Sequence, residues 1–398
     1  MATPLHRHQS SLQGFLDFSS STVLTPDQCS QATTIFNQLV SRYEPFQAER
    51  TAYKYVTLLR TVHESVVSKD NFLNHFFLFI DADLRRGQDA PTPTFFEVLS
   101  RFDSLHSWSR EQSDELQGTL INFSDYLVNN FFLPLKASGR KTPQPTPTAL
   151  SLTQTPDNVV GTTQRLAHLR QQCLTRDRYR CVISRKFDLN EAKARWKRDG
   201  ADSKDDDGLL LKNEKPEYLE VAHILPHSLT SLSGDVGDLQ LSESKRIALQ
   251  ILKMFDPDAS PLIEGPDIDR SINAIVLTHH WHQEMGDFAV SFQPTIDRSP
   301  HSYKIDYIDP NRPFRDPLLP VIRQLYTTPT KTIDPPAPRL LAIHHAIARI
   351  LCLSGAGEYI NHIIQEMEEV SIKENGSTAL GYYVRLKMDG WLDGIPVC

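Results

Sequence analysis

Residues 220–227 read EVAHILPH, and residues 272–288 read INAIVLTHHWHQEMGDF. In the first run, His223 stands at the end of a short apolar stretch. The second run carries Asn273 at a turn and His282 in a helix-like segment. Phosphodiester hydrolysis needs a base that deprotonates water, a cation that neutralises charge on the phosphate, and a group that fixes the base's tautomer. A strand with His223 that faces a helix with His282 would place both imidazoles beside one phosphate.

A longer pattern surrounds these residues. Residues 176–184 read RDRYRCVIS, residues 221–228 read VAHILPHS, and residues 273–277 read NAIVL, with His282 nine positions after the Asn and GDF at 286–288. Together these motifs resemble the HNH endonuclease family, and they are most similar to HNH domains found in many fungal proteins. The resemblance covers roughly residues 165–310.

The resemblance implies a ββα-metal fold, in which a β-hairpin and a helix hold one divalent cation, Mg²⁺ or Mn²⁺. By the same resemblance His223 corresponds to the general base, Asn273 to the residue that supports the hairpin, and His282 to a metal ligand. The implied activity is hydrolysis of DNA phosphodiester bonds.

The sequence departs from the fullest family pattern at both expected positions of a further metal ligand. Ala222 stands immediately before the base, and Gly286 stands four residues after the last His. The chain also lacks the Cys-x-x-Cys pairs that bind a structural zinc in some members, since Ser184 stands three residues after Cys181. We therefore expect no structural zinc.

Three residues are candidates to replace the missing ligand. Glu220 lies two residues before Ala222, on the same face of a strand. His279 lies three residues before His282, on a nearby face of a helix. Asp287 follows that helix. The alternative is a fold that kept its shape and lost its catalytic competence.

A path for DNA would need cations near the site. Arg176, Arg178 and Arg180 precede the first strand and are candidate phosphate contacts, as is His227 in the loop after it. The alternative is a basic patch that offsets the acidic insertion at residues 205–207, a charged run of the kind that is usually solvated.

The pattern along the chain predicts an α+β protein that is mostly α. Residues 1–135 form an N-terminal helical region, in which Thr25 and Gln28 have the spacing of a capping box. Residues 136–160 are rich in Pro and Thr and predict a linker. The HNH-like module follows at 161–310, and residues 311–398 form a C-terminal helical region and tail.

The composition of the chain excludes several classes of protein. The 398 residues are 39% hydrophobic and 23% charged, as in a soluble globular protein. The net charge of −7 argues against a protein that coats nucleic acid by bulk electrostatics. Five scattered cysteines, and no apolar run typical of a signal peptide or membrane span, predict an intracellular protein of the nucleus or cytoplasm.

Two functions follow from these observations. The first is a metal-dependent HNH endonuclease acting on DNA. The alternative is a catalytically degenerate HNH-fold protein with a binding or accessory role, for example in a secondary-metabolite pathway. Ala222, Gly286 and the negative net charge favour the alternative.

Overall fold

A computed structural model describes the chain in segments. They are residues 24–49, 52–86, 93–139, 162–231, 241–296, 299–328, 330, 332–368 and 380–392. The N-terminal stretch without a signal-peptide pattern and most of the predicted linker lie outside the described residues.

The N-terminal region is all-helical, as predicted. Its helices are α1 (Pro26–Tyr43), α2 (Tyr55–Ser65), α3 (Lys69–Leu84), α4 (Phe95–Ser100), α5 (Arg110–Leu127) and α6 (Leu133–Gly139), with a π-helical turn at Val128–Phe132 between the last two. The capping box predicted for α1 is present, because Thr25 and Gln28 bond each other's backbone N–H. The aromatic side chains form the core: Phe76 meets Phe36 and Phe123 edge-on, at ring-centroid distances of 5.2 and 5.5 Å.

The central module has the predicted ββα order, with helices before and inside it. Its elements are α7 (Thr162–Arg176), α8 (Leu189–Asp199), β1 (Leu219–His223), α9 (Glu243–Phe255), β2 (Ala274–Thr278) and α10 (His279–Gly286). Strands β1 and β2 pair antiparallel, with His223 opposite Ala274. Because α10 begins directly after β2 and packs across both strands, its side chains face the hairpin.

A second sheet follows the module. Its strands β3 (Val290–Pro294), β4 (Ser302–Tyr307) and β5 (Val321–Gln324) pair antiparallel in that order, so β5 forms one edge. The C-terminal helices are α11 (Pro338–Ser354), α12 (Ala356–Glu368) and α13 (Leu380–Met388).

Helix α11 joins the module to the N-terminal helices. It packs against both α2 and β3, and the N–H of Lys54 donates to the carbonyl of Ser354 over 2.8 Å. His344 on α11 stacks on Phe288 and bonds the carbonyl of Met285 at the end of α10. Burial lowers the pKa of His344 to about 4, so the residue is a neutral part of the core.

The prediction that the linker begins at residue 136 is wrong, because α6 continues to Gly139. Lys136 is 3% exposed, and its ammonium donates to the carbonyl of Asp287 over 2.5 Å. Its aliphatic stem therefore packs in the core while its charge is satisfied just beyond α10.

In the described segments no single helix is long and apolar enough to cross a membrane. Two consecutive helical segments, Pro338–Ser354 and Ala356–Met367, are long and apolar enough for a membrane span only when taken together, and they are bent by 90° relative to each other.

Candidate functional site

Glu220 on β1 reaches the histidines of α10. Because side chains alternate along a strand, Glu220 and Ala222 lie on one face, which α10 covers. Glu220 Oε1 lies 3.0 Å from Nδ1 of His279, and Oε2 lies 2.6 Å from Nδ1 of His282. We call Glu220, His279 and His282 the outer triad, since their side chains are 27%, 67% and 5% exposed.

The outer triad keeps its carboxylate ionised. The hydrogen bond from His282 is the main cause that lowers the pKa of Glu220 below its ordinary value; partial burial acts in the opposite direction, and His279 adds to the lowering. One anionic oxygen ligand therefore stands between two imidazoles at a surface that solvent can reach.

A second cluster lies at the end of β1. Asp269 Oδ1 lies 3.1 Å from Nε2 of His223 and 2.7 Å from Nδ1 of His227. These three side chains offer ligand atoms that all lie within 4.8 Å of one another, so they can hold a divalent metal. We call them the inner triad, because the side chains of both His223 and Asp269 are only 1% exposed.

Burial and pairing set the charges of the inner triad. Burial lowers the pKa of His223, and the hydrogen bond and charge of Asp269 offset this only in part. Burial alone would raise the pKa of Asp269, but hydrogen bonds from His223 and His227 hold it well below its ordinary range. At neutral pH the triad therefore contains an anionic Asp269 and a neutral His223.

Asn273 fixes the loop that follows β1. Its Oδ1 accepts from the N–H of Leu225, and its Nδ2 donates to the carbonyls of Leu225 and Ile268, each over 3.0 Å. The residue is fully buried. Since these bonds join the segment after His223 to the segment that ends in Asp269, Asn273 holds both parts of the inner triad in register.

The positions that depart from the family pattern have structural partners. Ala222 is buried and pairs with Ile275 on β2. Gly286 lies close to Gly139 at the end of α6. A Cβ added at Gly139 would be 2.6 Å from the carbonyl oxygen of Gly286. The third candidate for a replacement ligand, Asp287, has its carboxylate 3.9 Å from the ammonium of Lys136. Of the three candidates, Glu220 contacts His282, and His279 contacts the same carboxylate.

The prediction that Arg176 contacts DNA is wrong. Arg176 is 1% exposed and makes a two-point ion pair with Asp177, at 2.8 and 2.9 Å. It also donates to the carbonyls of Ser271 and Ala274, which flank the start of β2. Asp177 in turn accepts from the N–H of Val276. This buried pair therefore anchors β2 to α7.

Arg180 is likewise paired inside the protein, which corrects its predicted role. It bonds Asp205 and Glu214, and only 9% of its side chain is exposed. Arg178 is partly exposed but pairs with Asp207. The acidic insertion is therefore not simply solvated: Asp205 is buried, and these arginines neutralise part of the insertion.

His227 also differs from its predicted role as a phosphate contact. Its side chain is 11% exposed, and Asp269 holds its Nδ1. Asp269 was not predicted as a site residue from the sequence. The available signal was an acidic residue four positions before Asn273, in a loop rich in Pro and Asp.

Residues 181–293 match the family model described as HNH endonuclease. This segment is therefore similar to HNH domains. It contains both triads and Asn273, and the match indicates a nuclease-type function. Comparison with curated proteins and with solved structures found no match.

Proposed function

We propose that the HNH domain is a divalent-metal-dependent endonuclease that hydrolyses DNA phosphodiester bonds. The observation that carries this proposal is the meeting of Glu220 with His279 and His282 across the hairpin and α10. In this arrangement Glu220 supplies the ligand that Ala222 cannot. The outer triad is the more exposed of the two, so an ion there can also contact a phosphate.

The donor set bears on the identity of the metal. Two imidazoles and one carboxylate suit Mn²⁺ and other transition ions, whereas Mg²⁺ prefers oxygen ligands and keeps several waters. We therefore infer that Mn²⁺ supports activity better than Mg²⁺. When bound, the cation would neutralise the charge that develops on the scissile phosphate.

We propose His223 as the general base; it belongs to the inner triad whereas His282 belongs to the outer triad, so this role requires a substrate that reaches both clusters. Asp269 accepts from Nε2 of His223, which leaves Nδ1 as the ring nitrogen that can take a proton from water. Because burial keeps the ring neutral, it is ready to accept that proton at pH 7. Since its side chain is only 1% exposed, this role requires that a water molecule enter the site and reach Nδ1.

The test is nicking of supercoiled plasmid by the full chain in Mn²⁺. We expect His223→Ala to reduce the rate by about 10²–10⁴-fold, the usual contribution of a general base. His280→Ala is the matched control, because His280 is exposed on the same helix and belongs to neither triad. No nicking with Mn²⁺, Mg²⁺, Zn²⁺ or Ni²⁺ would exclude the proposal.

The second candidate is a binding protein built on a degenerate HNH domain. The enclosure of His223 and the alanine at position 222 favour it. Calorimetry separates the two proposals: a nuclease needs Mn²⁺ binding that disappears in Glu220→Gln and in His282→Ala. DNA binding without any such metal binding would support the second candidate.

A further inference from the structure

Two arginines stack on the ring of Tyr326, and a third lies beside them. The guanidinium carbons of Arg185 and Arg178 lie 4.4 and 4.9 Å from the ring centroid. Arg185 bonds the carbonyl of Gln324, the residue next to Arg323, and Arg323 bonds the carbonyl of Ile183, two residues before Arg185, so these two cations belong to neighbouring segments. We call Arg178, Arg185, Arg323 and Tyr326 the arginine cluster.

The arginine cluster has an excess of positive charge. Arg178 pairs with Asp207, but Arg185 and Arg323 bond backbone carbonyls: Nη2 of Arg185 donates to Gln324 over 2.7 Å, and Nε of Arg323 donates to Ile183 over 2.8 Å. Among the described residues neither of these two has a carboxylate within ion-pair distance, and Nη1 of Arg185 has no hydrogen-bond partner. Nη1 of Arg185 is buried, so an anion would balance the charge of the cluster at the partly exposed parts of Arg185 and Arg323 rather than at Nη1.

The cluster is held in place before any ligand arrives. Arg178 and Arg185 have φ values of 53° and 63°, the left-handed region that costs energy for residues other than glycine. The turn persists because Arg185 N–H donates to the Cys181 carbonyl, and Cys181 N–H donates to the Lys186 carbonyl. Guanidiniums that are already ordered lose less conformational entropy when they bind a phosphate.

The cluster also lies beside the nuclease hairpin. The N–H of Val182 donates to the carbonyl of Val276, so this turn runs along the edge of β2 that faces away from β1. Two strand spacings, about 10 Å, therefore separate its backbone from the strand that carries Glu220. A nucleic acid that makes about 6–10 phosphate contacts can span both places.

We propose that the arginine cluster binds backbone phosphates of the nucleic acid that the HNH domain acts on, in place of the buried Arg176 and Arg180. Guanidinium groups suit this task because their fork of N–H donors matches phosphate oxygens. This inference rests on the proposed function for its ligand class, but binding can be measured without cleavage.

The experiment is fluorescence anisotropy of a labelled 30-base-pair duplex with the full chain, in EDTA, from 50 to 300 mM KCl. We expect the double variant Arg185→Gln/Arg323→Gln to bind on the order of 10–100-fold more weakly at 0.1 M salt. The slope of log K against log salt should fall by about 2, one for each phosphate that an arginine no longer neutralises. Gln can still donate to the backbone carbonyls, which favours a folded variant.

The matched control is Arg198→Gln/Arg246→Gln. These side chains are 70% and 61% exposed, and each has a carboxylate partner close by in its own helix. The control changes the net charge equally, so unchanged duplex affinity and slope in the control would locate the effect in the cluster. Equal losses in both double variants would overturn the proposal.

Two further arms separate the outcomes. If Arg185→Gln/Arg323→Gln melts at a lower temperature, the single variant Arg323→Gln replaces it and should lower the slope by about 1. Titration with inorganic phosphate tests a small-anion site: cluster-dependent phosphate binding with unchanged duplex binding would overturn the proposal. If the unaltered chain binds the duplex through the cluster but does not nick plasmid DNA, the result counts against the nuclease proposal alone.

Discussion

Glu220 and Asp269 each bond two histidines, but their surroundings differ. The side chain of Glu220 is 27% exposed and bridges two residues of α10, whereas that of Asp269 is 1% exposed and bridges β1 and the loop after it. A buried carboxylate that loses its partners has no water to replace them, whereas an exposed one does. The inner triad therefore contributes more to folding, whereas the outer triad is more accessible to solvent.

Removal of each carboxylate tests this difference most strongly. We expect Asp269→Ala to lower the free energy of unfolding by about 4 kcal/mol, because the hydrogen bonds of this buried carboxylate to His223 and His227 and its ion pair with Arg165 are lost. Glu220→Ala should cost less, about 2 kcal/mol, because Glu220 is partly exposed and water can replace some of its bonds, although its partner His282 is buried. Urea denaturation followed by circular dichroism measures both, and equal losses would remove the distinction between the triads.

Asn273 should be the next most sensitive position. Asn273→Ala removes three buried hydrogen bonds to neutral backbone groups, and we expect a loss of about 3 kcal/mol. Asn122→Ala is the control, because Asn122 is exposed and makes one bond to Asp83. If urea denaturation shows the two variants to be equally stable, Asn273 does not hold the inner triad together.

The sequence predicted the parts of this molecule that depend on local pattern. The capping box at Thr25 follows from spacing along the chain, and the order of β1, β2 and α10 follows from the resemblance of the motifs to the HNH endonuclease family. Glu220 was also found from spacing, because the alternation of a strand places it on the face of Ala222. The inferences from spacing need only neighbours that are close in sequence.

The parts that the sequence did not predict depend on where distant segments meet. Asp269 lies 46 residues after His223, beyond α9, and strand alternation says nothing about where such a loop returns. Arg180 is likewise paired with the distant Asp205. Arg176 pairs with the adjacent Asp177, but its bonds to the distant carbonyls of Ser271 and Ala274 could not be read from the sequence. Since charged side chains are buried only with a partner, the pairing in space decides which arginines remain for DNA.

Metal binding gives a smaller effect that assigns the ion to one triad. At a Mn²⁺ concentration 100 times its Kd, binding to the folded state adds about 2.7 kcal/mol and should raise Tm by several degrees. We expect Glu220→Gln to abolish this rise and Asp269→Asn to keep it, each relative to its own metal-free Tm. The reverse result in differential scanning fluorimetry would place the ion in the inner triad, with His223 as a ligand rather than the base.

The pH dependence of stability should give the smallest effect. Burial lowers the pKa of His223 in the folded state. Just below about pH 6.5 this imidazole is therefore protonated in the unfolded chain but still neutral in the folded chain. This contribution to stability is complete above about pH 6.5 and is lost as the pH falls below it. His63 and His344, whose pKa values burial lowers to about 4, act with the same sign. The depressed pKa of Asp269 adds a further loss below about pH 4.

His223→Gln should therefore flatten the fall in unfolding free energy between pH 7 and pH 5 without removing it. Gln can still donate to Asp269, so the comparison isolates the titration of the imidazole. His279→Gln is the control from the outer triad, because that side chain is 67% exposed. Urea denaturation at each pH gives the slopes, and an equal change in both variants would mean that the enclosure of His223 does not govern its proton binding.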